Sequence, residues 1–323
     1  MDLHRLYPLL KILADGRFHS GETLGRELGI SRTAVWKRLR MIERVGLEVQ
    51  AVSGKGYRLR QPLELLQRDH VLSALDPASR ALLARLEILP QLDSTNRYLM
   101  DRAEHGIACF AEFQSAGRGR RGRKWHSPFA ANLYLSVSWH FDTPAAALSG
   151  LSLAAGVWIA DALQAAGVEG TQLKWPNDVL HGGNKLAGIL TELKGEAEGP
   201  CLAVVGIGLN LEMPLQEAGG IDQPWTDLCT VTGTRPPRNR IAGLLLRHVL
   251  QGLAEYQRTG LAATRQRWHR LDYTAGKPVR LLLPSGTVSG TAQGIDEQGA
   301  LLLRSGENVH AIHSGQVSLR RNS

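Results

Sequence analysis

The stretch from His19 to Gly46, HSGETLGRELGISRTAVWKRLRMIERVG, leaves a chain few ways to fold. Ser20 and Ser31 each stand where a side-chain oxygen can accept a hydrogen bond from the opening turn of a helix, and Gly29 stands where a left-handed residue can end one. Leu24 and Leu28 carry the intervening apolar face, so the pattern predicts helix, the turn Gly29-Ile30-Ser31, and a second helix, which is a helix-turn-helix unit. Leu6, Leu9, Leu10 and Leu13, at helical spacing before Asp15-Gly16, predict a further helix ahead of it. On a wheel of the third helix, Val35, Leu39 and Ile42 form a core-facing stripe opposite Thr33, Lys37, Arg40 and Arg44. Short polar and long cationic side chains on one outward face can meet base edges and phosphates together, although a plain solvated face has the same composition. Leu47 to Val52, the turn Ser53-Gly54-Lys55-Gly56 and Tyr57-Arg58-Leu59 predict a hairpin, hence a wing with Lys55 at its tip. The candidate DNA contacts are Ser31, Arg32, Thr33, Trp36, Lys37, Arg40 and Arg44 of the helix and Lys55 of the wing. Charge follows this reading: residues 1–63 hold twelve Lys/Arg against six Asp/Glu, leaving +6 of the chain's +8.

Gln61-Pro62 closes this unit, and a boundary is expected near residue 63. Beyond it the apolar runs Cys109 to Phe113, Leu133 to Trp139, Leu186 to Leu193 and Cys201 to Leu209 predict strands, and a long amphipathic helix is predicted from about Ala145 to Ala166. Cys109, Cys201 and Cys229 have neither metal-type nor redox-type spacing, so buried or free thiols in a reducing compartment are expected. No apolar run approaches about 18 residues and no signal-like leader opens the chain, so neither a membrane span nor export is expected; the cytoplasm is. Between two predicted strands lies Ala116 to Trp125, AGRGRRGRKW, with five cations in eight residues. Gly/Arg-rich runs can coat nucleic-acid backbones, but this is one loop on a folded scaffold rather than a long repetitive tail. It fits G-x-G-x-x-G without the following helix of a dinucleotide fold, and it lacks the Gly-Lys-Ser/Thr of a P-loop. Its glycines allow close backbone approach and its arginines suit carboxylate or phosphate oxygens, so ordering on an anionic ligand is expected.

In order along the chain stand Asp93-Ser-Thr-Asn96, Glu112-Phe-Gln114 running into the Gly/Arg loop and Trp125, Ser127-Pro128, Asn132-Leu-Tyr-Leu-Ser136, Lys174-Trp-Pro-Asn-Asp178, Lys185-Leu-Ala-Gly-Ile189 and Gly206-Ile-Gly-Leu-Asn210. This ordered set resembles the biotin protein ligases. With a winged helix in front, the likeness is to the members that are both biotin ligase and biotin-operon repressor, and it runs from the first helix nearly to the C-terminus. The resemblance implies an α+β chain with a winged helix-turn-helix over 1–63, a central mixed-sheet ligase domain, class II synthetase-like, over 64–271, and an SH3-like β-barrel over 272–323. Strands at Lys277 to Leu283, Gly286 to Ile295, Ala300 to Leu303 and Val309 to Ile312 fit the barrel.

The implied chemistry joins biotin to ATP as biotinyl-5′-AMP and passes the biotinyl group to a lysine of biotin carboxyl carrier protein. Bound biotinyl-AMP would also promote a homodimer that represses biotin-synthesis genes at operator DNA. By motif match, Ser94, Thr95, Asn96, Gln114, Gly117, Arg118, Gly119, Arg120 and Lys185 would bind biotin. Arg118, Arg120, Arg121, Arg123, Trp125, Asn177, Asn210 and Trp225 would bind the nucleotide. Lys185, Arg118 and Asp178 would carry catalysis. Mg2+ would arrive with ATP, with Asp178 as the candidate on the protein side. A non-catalytic biotin-sensing regulator, and a ligase whose N-terminal domain does not regulate, remain alternatives. Two departures stand out: Ala130 occupies a position where the family usually has Gly, and Leu211 to Leu228, expected to cover adenine, contains Gly219-Gly220 and few aliphatic residues beside Ile221 and Trp225.

Overall fold

Leu6, Leu9, Leu10 and Leu13 are fully buried, because the i, i+3, i+4, i+7 spacing gives the first helix one continuous apolar face. The computed structural model describes residues 3–196, 198–221, 223–283, 286–313 and 318–321, with the side chains of 216–218, 282–283 and 318–321 outside that description. Helix α1 (Leu3–Leu13) packs on α2 (Gly21–Leu28) and α3 (Arg32–Glu43), followed by the antiparallel hairpin β1 (Val49–Val52) and β2 (Gly56–Leu59). Ser20 and Ser31 accept from the amides of Thr23 and Ala34, and Gly29 adopts a left-handed φ of 63°, so the caps sit where the sequence puts them. Gly56 is held tightly: a Cβ there would come within 2.1 Å of the His19 carbonyl oxygen, which pairs the wing to the start of α2.

Short helices α4 (Arg68–Leu72) and α5 (Pro77–Ala81) lead into the central sheet. Its elements are β3 (Arg85–Leu89), α6 (Thr95–Arg102), β4 (Ile107–Ala111), β5 (Leu133–Phe141), α7 (Leu151–Ala165), β6 (Thr171–Lys174), β7 (Asp178–His181), β8 (Asn184–Gly195) and β9 (Cys201–Leu209). The strand order is β3-β4-β5-β9-β8-β7-β6, antiparallel throughout except for the parallel β3–β4 pair, so the sheet is mixed. Helices α8 (Leu228–Thr232), α9 (Arg238–Thr259) and α10 (Ala262–Leu271) follow, and α9 and α10 pack against α7. The chain then forms a separate five-stranded antiparallel sheet in the order β13-β12-β11-β10-β14. These strands are β10 (Pro278–Leu283), β11 (Gly286–Ile295), β12 (Leu301–Ser305), β13 (Asn308–Ile312) and β14 (Ser318–Arg321).

The predicted helix over 145–166 is corrected in two respects. A 3-10 turn over Ala145–Leu148 precedes α7, and α7 is buried on nearly every side rather than amphipathic. The break falls at Gly150, where a Cβ would come within 2.8 Å of Leu261. Ala145–Ala165 has the length and hydropathy of a membrane span, but most of it lies inside the core of the sheet and helices.

The winged helix is built onto the central domain rather than strung from it. Phe129 and Ala130, just after the Gly/Arg loop, belong to the same buried cluster as the leucines of α1. Ala130 keeps the backbone shape that glycine would adopt easily: its φ is +53°, a left-handed angle that costs an L-residue roughly 1–2 kcal/mol. Beneath it, Glu112, fully buried, meets the Arg238 guanidinium at 2.6 Å and accepts from the Leu66 amide at 2.7 Å. Tyr7 of α1 lies beside the same carboxylate; burial first, and then this negative neighbour, push its phenol well above its ordinary pKa, so it stays protonated. Glu64 caps α9 from the linker, accepting from the amides of Arg238 at 2.7 Å and Asn239 at 2.9 Å.

Candidate functional site

The cleft lies on the face of β5, β9 and β8. Bare backbone makes room there: a Cβ on Gly206 would reach within 1.9 Å of Asn96 Oδ1, and one on Gly208 within 2.3 Å of the Trp125 ring. Trp125 therefore lies flat against glycine strands, with the Lys185 ammonium 5.5 Å from its ring centroid.

At one end stand neutral polar groups. Ser94, Thr95 and Asn96 open α6 and are nearly inaccessible, and the Ser94 side chain makes no capping bond. Gln114 Oε1 accepts from the Thr95 amide at 2.9 Å and the Thr95 hydroxyl at 3.2 Å, while its Nε2 donates to Ser127 Oγ at 3.0 Å. At the other end Asp178 is gripped by two lysines, Lys185 at 2.6 Å and Lys174 at 3.2 Å. Burial alone would raise the Asp178 carboxyl, but Lys185 and then Lys174 outweigh it and hold the carboxyl below the usual carboxylate range. Both carboxylate oxygens are thereby committed to ammonium groups. Among the described residues no cluster of His, Cys, Asp and Glu is arranged to hold a metal ion. Asp178 thus bridges Lys185 and Lys174 at this end of the cleft.

The Gly/Arg loop is a hairpin laid over this cleft. Gly119 N–H donates to the Arg123 carbonyl at 2.7 Å and Trp125 N–H to the Gly117 carbonyl at 2.9 Å, around a tip at Arg120–Gly122 where Arg121 takes a left-handed φ of 59°. Gly117 is required at its base, since a Cβ would come within 2.5 Å of the Trp125 carbonyl oxygen. Arg120 reaches Asn177 Oδ1 at 3.5 Å; burial first, then neighbouring Arg121, lower its pKa, which marks a cation concentrated with others in poor solvent. Arg121 and Arg123 line the rim, exposed, and Gly119 lines the wall. Arg118 points to Glu192, 2.9 Å away, and not to the Lys185–Asp178 pair.

Three expected contacts lie elsewhere. Gly117, Asn210 and Trp225 are not among the residues lining the cleft. Asn210 is buried and donates to the Thr226 carbonyl at 3.0 Å, while Lys185 accepts a backbone bond from Thr226 and donates one to Pro224. The segment around Trp225 is therefore fastened to the strand that carries Lys185; Gln223, not Trp225, reaches the cleft. Asp222 and the side chains of 216–218 lie outside the described residues. Lys174 in the cleft and Glu192 beside it are charged groups the sequence did not single out. Lys174 stood in a quoted motif, but a strand-borne acid such as Glu192 carries no local signal.

On the DNA-binding unit, Ser31, Arg32, Thr33, Trp36, Lys37, Arg40, Arg44 and Lys55 are all exposed, while Val35, Leu39 and Ile42 are buried. Arg40 leans over the Trp36 ring, 5.5 Å from its centroid, so an indole and a guanidinium form one outward platform.

Residues 5–58 match a family of HTH domains, 88–210 the biotin/lipoate A/B protein ligase family, and 274–320 the biotin protein ligase C-terminal domain. The bifunctional ligase/repressor BirA of Escherichia coli K12 is 42% identical over 97% of this chain and 96% of its own length. That of Bacillus subtilis 168 is 31% identical over 95% of each. The biotin protein ligase of Aquifex aeolicus in complex with biotin and ATP superposes with a TM-score of 0.65 at 30% identity, covering 74% of this chain and all of that one. Sequence likeness that spans all three structural units, and a fold shared with a biotin- and ATP-bound ligase, place the chain in one family: it belongs to the biotin protein ligases, among the bifunctional ligase/repressors.

Proposed function

We propose that the chain activates biotin with ATP as biotinyl-5′-AMP, transfers the biotinyl group to a lysine of biotin carboxyl carrier protein, and represses biotin-synthesis genes when loaded with that adenylate. The observation that carries the ligase reading is the cleft's division into a neutral polar end and a cationic end. A ureido head needs matched donors and acceptors without charge, which Ser94, Thr95 and Gln114 supply. A carboxylate meeting a triphosphate needs cations that do not have to be gathered at the moment of reaction, which Lys185, Arg120, Arg121 and Arg123 supply.

In the first step a biotin carboxylate oxygen attacks the α-phosphorus and the bond to the β-phosphate oxygen breaks, releasing pyrophosphate. Lys185 neutralises charge shared between the carboxylate and the phosphate, and Asp178 with Lys174 holds that ammonium in place. In the second, the acceptor amine attacks the acyl carbon, AMP leaves, and the amine gives up a proton. No protein nucleophile enters either step. Mg2+ comes as part of the nucleotide, neutralising phosphate charge. The hairpin at 117–125 covers the mixed anhydride and keeps water from it. The test is biotin-dependent pyrophosphate release from ATP, with carrier domain added to read transfer. Release without transfer would confine the activity to adenylation, and no release would leave a biotin-reading DNA-binding sensor.

Repression follows if the adenylate promotes a homodimer that pairs two winged helices on a two-fold operator, since a ligand that favours the dimer favours DNA. Replacing Lys37 and Arg40 together by alanine is expected to weaken operator binding at least roughly thirtyfold, from ~1–3 kcal/mol per contact, and to flatten its salt dependence. Biotin-dependent pyrophosphate release should stay within about twofold of the parent. A gel shift and a release assay on the same preparation check both; joint loss would make α3 a structural element only.

A further inference from the structure

Glu192 on β8 faces the cleft's neutral end and makes two contacts that nothing above assigns to function. Its Oε1 lies 2.9 Å from the Arg118 guanidinium, and its Oε2 accepts from Asn96 Nδ2 at 2.9 Å. Asn96 Nδ2 also donates to the Leu190 carbonyl at 3.0 Å, so both amide protons are committed within the protein. A carboxylate and a backbone carbonyl only accept, so Glu192 and Leu190 together hold the Asn96 N–H₂ on their side and turn its oxygen toward Ser136.

The direction then propagates. Ser136 Oγ lies 2.6 Å from Asn96 Oδ1 and 2.7 Å from Thr95 Oγ1. Asn96 offers only an acceptor there, so Ser136 gives its single proton to Asn96. Thr95 must then turn its own proton to Ser136 or to Gln114. Gln114 accepts with its oxygen, donates to Ser127, and Ser127 donates to the Trp125 carbonyl at 3.2 Å. Since Trp125 N–H bonds Gly117 and Arg118 pairs with Lys124 across the hairpin, the chain of bonds closes into a ring around the neutral end. Glu192 takes one of the two Asn96 amide protons in that ring and fastens the first arginine of the hairpin across it.

We propose that Glu192 is a positioning residue for biotin recognition, holding Asn96 at one end of the Asn96–Ser136–Thr95–Gln114 floor and latching Arg118 over the ureido end. This rests on the reading of the cleft as a biotin site. Because Glu192 acts away from the Lys185–Asp178 end, its loss weakens biotin binding without slowing bond formation.

The test uses full-length protein, with calorimetry for biotin binding and pyrophosphate release for turnover. Glu192→Gln is expected to raise both the biotin Kd and the biotin KM about tenfold, or 1.4 kcal/mol, with kcat within about twofold. Arg118→Gln should reproduce part of that loss on its own, and the double variant should fall no further than the worse single one, because both remove the same latch. Glu192→Asp, which keeps an acceptor-only group, should restore biotin affinity to within about threefold of the parent. Additive losses, a fall in kcat at unchanged KM, or no effect of Glu192→Gln would each overturn the proposal, and Glu192→Asp serves if the glutamine variant does not fold. Parent protein that fails to bind biotin at all would instead defeat the reading of the cleft.

Discussion

Lys185→Gln is expected to cut the rate of biotin-dependent pyrophosphate release by about 10² to 10³, while biotin affinity falls less than about tenfold. The asymmetry comes from where the ammonium sits. It is held 2.6 Å from Asp178, itself clamped by Lys174, at the end of the cleft opposite the neutral floor. A ground-state carboxylate can be met by other cations of the hairpin, but charge shared between carboxylate and phosphorus develops only as the bond forms. Removing one preorganised group aimed at such charge costs roughly 2.7–4 kcal/mol in the transition state. Glutamine keeps the length and a hydrogen-bond donor, so the loss isolates the charge.

The pH sign follows from Asp178. Its carboxyl is held below the usual range, so on the acid side the ion pair persists until pH falls through that lowered value. The Lys185→Gln defect should therefore be constant between about pH 6 and 8. Rate measurements across that range check it, and a defect that vanishes at either end would mean another group sets the rate. Equal losses in rate and in biotin affinity would make Lys185 a ground-state contact.

How much of this was legible in the sequence depends on the range of the interaction. The caps of α2 and α3 rest on residues three apart, so Ser20, Ser31 and Gly29 could be placed by eye. The long strands β5, β8 and β9 announced themselves as apolar runs. Strands β6 and β7 have four residues each, too short for a periodic signal. Helix α7 was misjudged because burial on all sides erases the polar face that periodicity detects. Within the cleft, the motifs gave the residue types, and the structure alone gave their partners. Arg118 and Lys185 look alike as cations in a motif, yet one belongs to Glu192 and the other to Asp178. Asn210 and Trp225 matched by position but secure the neighbouring segment through Thr226 and the backbone of Lys185. The least legible feature is the junction of Tyr7, Glu112 and Arg238, since its members are more than a hundred residues apart and each reads as an ordinary surface residue.

That junction carries the largest expected effect on stability. Arg238→Ala is expected to destabilise the protein by about 3–5 kcal/mol, the usual cost of leaving one member of a buried ion pair without its partner. Glu112 is fully buried, and beyond Arg238 it accepts from the Leu66 amide, with Tyr7 beside it. Arg238 also donates from Nη2 to the Asn132 carbonyl at 3.0 Å, and Asn132 Oδ1 accepts from the Leu211 amide at 2.8 Å, where the segment leading to Trp225 begins. The loss should therefore loosen two things together: the seating of α1 on Phe129 and Ala130, and the wall behind the cleft. Urea unfolding with separate probes for the winged helix and the ligase domain should show both transitions moving to lower denaturant. Adding Glu112→Gln should recover a substantial part, because a neutral amide does not carry an unpaired charge into the core. If Arg238→Ala shifts the ligase transition alone, the winged helix is held by its apolar contacts with Phe129 and Ala130, and the buried pair serves only the catalytic domain.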